Sequence, residues 1–159
     1  MNTFTHLDTT GNPNMVDVSE KQVSKRLARA QAIVILNEEV LQHLHNHEIQ
    51  TKKGGVFQTA IIAGIMGAKK TGELIPLCHS LGLENCQLTI QLNEKNEVII
   101  ECTATITAKT GVEMEALTGA SIAALTIYDM CKAFSHEIVI KEIKLLEKRG
   151  GKNDFLLKK

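Results

Sequence analysis

Asp129 and Lys132 interrupt a run that is otherwise almost wholly apolar, Ala123-Ala-Leu-Thr-Ile-Tyr-Asp-Met-Cys-Lys-Ala133. At i and i+3 of a helix the two share a face, so a carboxylate and an ammonium group meet there. A helix that is apolar all round is a buried one, and a buried charge must be paired or put to use. The pair therefore reads either as a structural ion pair at the helix edge or as a proton-transfer couple. Glu113-Met114-Glu115 sets two carboxylates at the start of the same segment, where acidic groups also complement a helix dipole. His79 ends the apolar run Leu74-Ile-Pro-Leu-Cys-His79, a place that suits a satisfied core histidine as well as a proton carrier. Lys52-Lys53-Gly54-Gly55 and Lys148-Arg149-Gly150-Gly151-Lys152 are basic glycine loops, able to grip phosphate as point charges or simply to sit in water.

Other chemistries fail on spacing. Gly64-Ile-Met-Gly-Ala-Lys-Lys-Thr71 comes near a phosphate-binding loop, but Lys69 stands where that loop needs a glycine, and the surrounding pattern is helical. The chain has no G-x-G-x-x-G, so dinucleotide binding has no support. His43 and His47 would be i and i+4 on a helix, yet no third ligand lies at a suitable spacing, and surface histidines are the commoner outcome. No metal site is expected, and the adjacent Cys78-His79 pair suits neither chelation nor a nucleophilic couple by its spacing.

Composition narrows the class. The 159 residues match one domain, and a 43% apolar chain with four Phe, one Tyr and no Trp must build its core from Ala, Ile, Leu and Val. Eighteen basic side chains balance eighteen acidic ones, which, with the scarcity of aromatic stacking platforms, argues against nucleic acid as a partner. The four cysteines have no C-x-x-C spacing and read as reduced thiols. Neither a signal peptide nor a membrane span is apparent, the longest apolar stretch being Ala60–Ala68, so a cytoplasmic protein is expected.

The elements that must position these groups follow from periodicity. Residues 1–14 read as a loose arm. Arg26 to Leu36 alternates as a strand, with Ala28, Ala30, Ala32, Val34 and Leu36 on one face. Asn37 is a good cap for a short helix over Glu38–Asn46. Val56–Lys70 reads as a helix whose small residues Ala60, Ala63, Gly64 and Gly67 imply a closely packed neighbour. Cys86–Leu92 and Val98–Ile106 form a hairpin, Glu115–Phe134 the longest helix, and Ile138–Leu146 a last strand before a polar tail at 153–159. Four strands and three helices in mixed order predict an α+β fold, a two-layer sandwich with a ferredoxin-like antiparallel sheet and helices on one face, in a single domain over 15–152.

Taken in order, Met15-Val-Asp-Val-Ser19, Lys53-Gly-Gly-Val-Phe57, Ile62-Ala-Gly-Ile65, Leu74–His79, Lys109-Thr-Gly-Val-Glu-Met-Glu-Ala-Leu-Thr118, Ala124–Ala133 and Gly150-Gly-Lys152 resemble the molybdenum cofactor biosynthesis protein C family, nearly throughout the chain. The resemblance implies a lyase, a cyclic pyranopterin monophosphate synthase. Such an enzyme takes guanosine triphosphate already cyclised between a ribose carbon and purine carbon eight, and releases pyrophosphate. It implies the ferredoxin-like sandwich, a hexamer built as a trimer of dimers, and active sites at dimer interfaces. Asp129 would be catalytic with Lys53, Lys132 and His79. Leu77, Cys78, His79, Met114 and Glu115 would line the substrate, with Arg26, Glu113, Lys148 and Lys152 as further pocket residues. No cofactor would be tightly bound, although Mg²⁺ could accompany the triphosphate. Ser80 and Gly55 depart from the family pattern, standing where a proline and an aspartate are frequent. The alternatives from other classes are a catalytically silent scaffold subunit, against which Asp129, Lys53 and Lys132 together speak, and a metal-binding protein using His43 and His47.

Overall fold

A computed structural model describes residues 6–158. Its centre is a five-stranded antiparallel sheet, reached by a chain that runs β1 (Ser24–Ile35), α1 (Glu38–Leu41), β2 (Leu44–His45), β3 (Glu48–Thr51), β4 (Gly54–Gly55), α2 (Val56–Lys69), α3 (Thr71–Leu74), β5 (Asn85–Leu92), β6 (Glu97–Ala108), α4 (Glu113–Cys131), β7 (Val139–Arg149) and β8 (Phe155–Leu156). The sheet order is β5-β6-β1-β7-β8, and β2, β3 and β4 form a small second sheet. Helices α2 and α4 cover one face, giving the expected two-layer α+β sandwich of ferredoxin-like character.

The alternation in β1 buries Ala28, Ala30, Ala32 and Val34 against the helices. Leu88 of β5 and Val98, Ile100, Cys102 and Ala104 of β6 extend that face. Ala116, Ala120, Ala123, Ala124 and Ile127 of α4 complete the core. Alanine on both sides lets the longest helix lie close to the sheet. The glycines of α2 allow a second close approach: a Cβ on Gly64 would come 2.8 Å from the Gly119 carbonyl oxygen of α4. The neighbour implied by the small-residue stripe is therefore α4 of the same chain. Gly64 and Lys69 both lie within α2, so the near-match to a phosphate loop is indeed helical.

Three expectations need correction. Asn37 does cap a helix, its side-chain oxygen accepting from the Val40 N–H, but that helix ends at Leu41 rather than Asn46. Asn46 and His47 adopt φ of 50° and 61° and close a β2–β3 hairpin, a two-residue turn that outcompetes continued helix. His43 and His47 thus share no helical face, and His43 stacks on Phe134 with ring centroids 4.0 Å apart. The strands exceed the expected four, because the very short β2, β3, β4 and β8 lack enough residues to show a period. β8 arises within the 153–159 tail, where Phe155 pairs with Lys148. Of the N-terminal arm, residues 1–5 lie outside the described residues, and the Asp8 carboxylate accepts from Thr10 and Asn12 to close a turn in the remainder.

The glycine contact between α2 and α4 sets an expectation for stability. Gly64→Ala gains about 1 kcal/mol of helix propensity but overpacks against the Gly119 backbone, at a cost of about 1–3 kcal/mol. Urea unfolding should therefore show lower stability, and a more stable variant would refute the close packing.

Candidate active site

The chemistry-bearing residues gather at the two ends of α4. At its C-terminal end Lys132 Nζ donates to Asp129 Oδ1 at 2.6 Å, and Lys53 Nζ lies 4.0 Å from Asp129 Oδ2. The structure thus brings Lys53, Asp129 and Lys132 together across 79 residues of sequence. Contrary to the all-round burial expected of this helix, Asp129 is 56% exposed in its side chain, because Leu125, Asp129 and Lys132 lie on the solvent side of α4. The Lys132 ammonium, by hydrogen bond and by charge, together with the charge of Lys53, holds the Asp129 carboxyl below the ordinary aspartate range. Lys132 is pushed up in turn by Asp129.

Lys53 rides on the two-residue turn between β3 and β4, where Thr51 pairs with Gly54. Thr51 Oγ1 donates to the Gly54 carbonyl and accepts from the Lys53 N–H, and Gly54 takes a φ of 110° that a side chain would strain.

At the N-terminal end of α4 two clefts adjoin. The first, 420 Å³, is lined by Val16, Val18, Leu77, Cys78, His79, Leu81, Met114 and Glu115 among others. His79 Nε2 is 2.9 Å from the Val16 carbonyl oxygen, so the chain before β1 fixes its ring. Glu115 is buried, and burial, aided by the Glu113 charge, raises its carboxyl above the ordinary range. Cys78 is raised likewise by burial and by Glu115.

The second cleft, 620 Å³, shares His6, Lys21, Thr110, Gly111 and Glu113 with the first. Six cationic side chains line it, Lys21, Arg26, Lys109, Lys148, Arg149 and Lys152, against the single carboxylate of Glu113. Arg26 donates to the carbonyls of Ala108 and Lys109, both at 3.3 Å, and Lys148 pairs with Glu113 at 3.2 Å. Gly150, at φ 83°, passes so close to the Lys25 carbonyl that no side chain fits, and this holds the turn after β7 against β1 beside Arg26; Lys148 and Arg149, expected in a basic loop, are instead the last residues of β7, paired with Ala28 and Leu27. Such a concave, cation-rich surface suits a polyphosphate.

All the residues expected from the sequence fall into these two groups, and Lys21, Lys109 and Arg149 join the second. Lys109 and Arg149 stood within recognised motifs. Lys21 carried no signal beyond following Met15–Ser19, because only the fold places its segment over the cleft. Among the described residues, no group of three or more His, Cys, Asp or Glu is placed to hold a metal ion.

The MoaC family pattern matches residues 15–151, a span that carries Lys53, Asp129, Lys132 and most of the cleft linings, Lys152 falling just beyond it. The chain belongs to the MoaC family. A relative in that family, the cyclic pyranopterin monophosphate synthase of Xanthomonas campestris pv. campestris, is 51% identical over 152 residues, covering 96% of this chain and 92% of that protein. The molybdenum cofactor biosynthesis bifunctional protein of Synechocystis sp. is 52% identical over 155 residues. This chain spans 45% of that protein, and 27% of molybdenum cofactor biosynthesis protein 1 of Dictyostelium discoideum, to which it is 46% identical. No helix among the described residues is long and apolar enough to cross a membrane.

The Asp129 pairing predicts a titration. A depressed carboxyl stabilises the fold above its unfolded value, and the contribution vanishes as pH falls through the lower folded value. Carbon-detected NMR should show Asp129 titrating below ordinary aspartates, and Lys132→Ala should move it upward. Identical titrations in the two proteins would contradict the pairing.

Proposed function

We propose that this member of the MoaC family is a cyclic pyranopterin monophosphate synthase, converting the cyclised guanosine triphosphate derivative to cyclic pyranopterin monophosphate with release of pyrophosphate. The observation that carries this reading is the pairing of a six-cation cleft with two sets of proton-transfer groups. The cations bind the triphosphate and offset the charge that grows on departing pyrophosphate. Opening the imidazole ring and closing the pterin ring need several proton transfers, and the groups differ in the proton affinity these require. Asp129, held ionised by Lys132, accepts protons. Glu115, raised by burial, keeps its proton to higher pH and can donate one. His79 and Lys53 carry protons between such groups. The protein holds no tight cofactor, and Mg²⁺ travels with the triphosphate of the substrate.

The active site is completed by a second copy. Glu113 and Asp129 stand sixteen residues apart on one helix, which is about 24 Å of helical rise. A general base must lie within about 3 Å of the proton it takes, so the two ends of one α4 cannot serve the same reacting atoms. A two-fold dimer would set the Asp129 end of one chain against the clefts of its partner, twice over. Ile62, Met66 and Leu125, large apolar residues exposed on α2 and α4, supply surface that such association would cover. Three such dimers form the hexamer, and the assembly works in the cytoplasm.

Asp129→Asn should abolish turnover with fold and assembly intact. Lys53→Ala and Lys132→Ala should each lose at least ~100-fold in kcat, whereas a raised KM alone would make that lysine a phosphate grip. Mixing tests the shared site. Asp129→Asn and His79→Ala chains, dissociated and reassembled together with exchange confirmed by mass, should regain activity in about a quarter of sites, because each mixed dimer holds one intact site of two. Asp129→Asn mixed with Lys53→Ala should regain none, since both lesions lie in one half. Full activity in a monomer, or equal recovery from both mixtures, would defeat the arrangement.

A further inference from the structure

Lys53 has little of its own to hold it in place. Its side chain is 71% exposed, and its approach to Asp129 depends on where the β3–β4 turn sits. That turn leads straight into α2, whose first residues present N–H groups with no preceding helical turn to accept them. Gly55 occupies the cap position and has no side chain to offer.

Glu48 supplies the missing acceptor from the far strand of the hairpin. Its Oε1 accepts from the Phe57 N–H at 2.8 Å and from the Ile49 N–H at 2.8 Å, while Oε2 accepts from the Gln58 N–H at 3.1 Å. One carboxylate therefore ties the start of β3 to the first turn of α2, closing the loop that carries Lys53. Its negative charge also faces the positive end of the α2 dipole, which strengthens the tie. The carboxylate sits where a longer residue at position 55 would reach: the three atoms nearest a Cβ built on Gly55 are all in the Glu48 side chain, at 2.9, 3.1 and 3.4 Å. Gly55 itself has φ −70° and ψ 129°, a conformation open to any residue, so what requires glycine here is the space Glu48 fills.

We infer that Glu48 is a positioning residue: its carboxylate caps α2 from outside the helix and thereby holds Lys53 at Asp129. Glu48 acts through Lys53 and needs no contact with substrate. The kinetic consequence rests on the synthase reading proposed above, but the structural one does not.

The geometry supplies its own rescue. Glu48→Ala removes the clamp and vacates the space beside Gly55. Gly55→Asp in that background restores a carboxylate at the conventional cap position, from which an aspartate reaches the same N–H groups. Glu48→Ala should lower kcat by about 10- to 100-fold, the scale expected when a reacting group is misplaced by about 1 Å, while KM changes less than about twofold. The double variant Glu48→Ala/Gly55→Asp should recover most of that loss. Ile100→Val, which trims the core beneath the sheet, serves as a control that lowers thermal stability without lowering kcat.

Two further readouts work even without turnover. Amide exchange at Phe57 and Gln58 should quicken in Glu48→Ala and slow again in the double variant. The ¹³C-methyl signal of reductively methylated Lys53, which Asp129→Asn should shift, should move the same way in Glu48→Ala and return in the double variant. If the wild-type protein makes no pyranopterin but these signals behave as stated, the synthase reading fails and the clamp stands. Wild-type kcat in Glu48→Ala, unchanged amide exchange and Lys53 signal, or restored amide protection without recovery of kcat in an active enzyme would each overturn the inference.

Discussion

Close packing of α4 against the Ala-rich face of β1 and the glycines of α2 is the constraint on which the rest depends. This 19-residue helix separates its two ends by most of the length of the core. Its small residues give up side-chain contact area, and shape matching between backbones replaces it. The result is a helix that sets Glu113–Glu115 at one end and Asp129 with Lys132 at the other. The α4 members of both groups thus take their positions from one element, while Lys53 and the residues of the clefts come to them from neighbouring turns and strands.

The two ends differ in electrostatic character. At the C-terminal end, three charges meet in the open, and two cations keep one carboxylate ionised. At the N-terminal end, burial works in the opposite sense, holding Glu115 toward its protonated form beside a cleft rich in lysine and arginine. Lys53, Asp129 and Lys132 are all exposed in the single chain, where water and salt screen their charges.

Much of this was legible in the residues themselves. Period-two burial in β1 and β6, the hairpin at Asn93–Asn96 and the presence of α4 all follow from strong, long patterns that tertiary packing reinforces, although α4 runs from Glu113 to Cys131 rather than from Glu115 to Phe134. The region between Asn37 and Gly55 was not legible in the same way. There Asn46 and His47 enter the left-handed region to turn the chain, and strands of two to four residues carry too few positions to show alternation. The charged helix residues illustrate a second limit. Composition around Asp129 suggested full burial, but a helix lying on a sheet keeps an outer face, and apolar residues such as Leu125 remain on it. Motif order named the residues that the structure gathers, yet it could not show that they fall into two groups, which depends on the length of α4.

The central claim is that this chain itself performs the synthase reaction. The most direct measurement supplies purified protein with the cyclised guanosine triphosphate derivative, following pyrophosphate and the fluorescence of the oxidised pterin together. The account predicts that both appear in equal amounts and that neither forms when Asp129→Asn replaces the wild-type protein. Substrate that persists unchanged, or pyrophosphate released without a pterin, would contradict it.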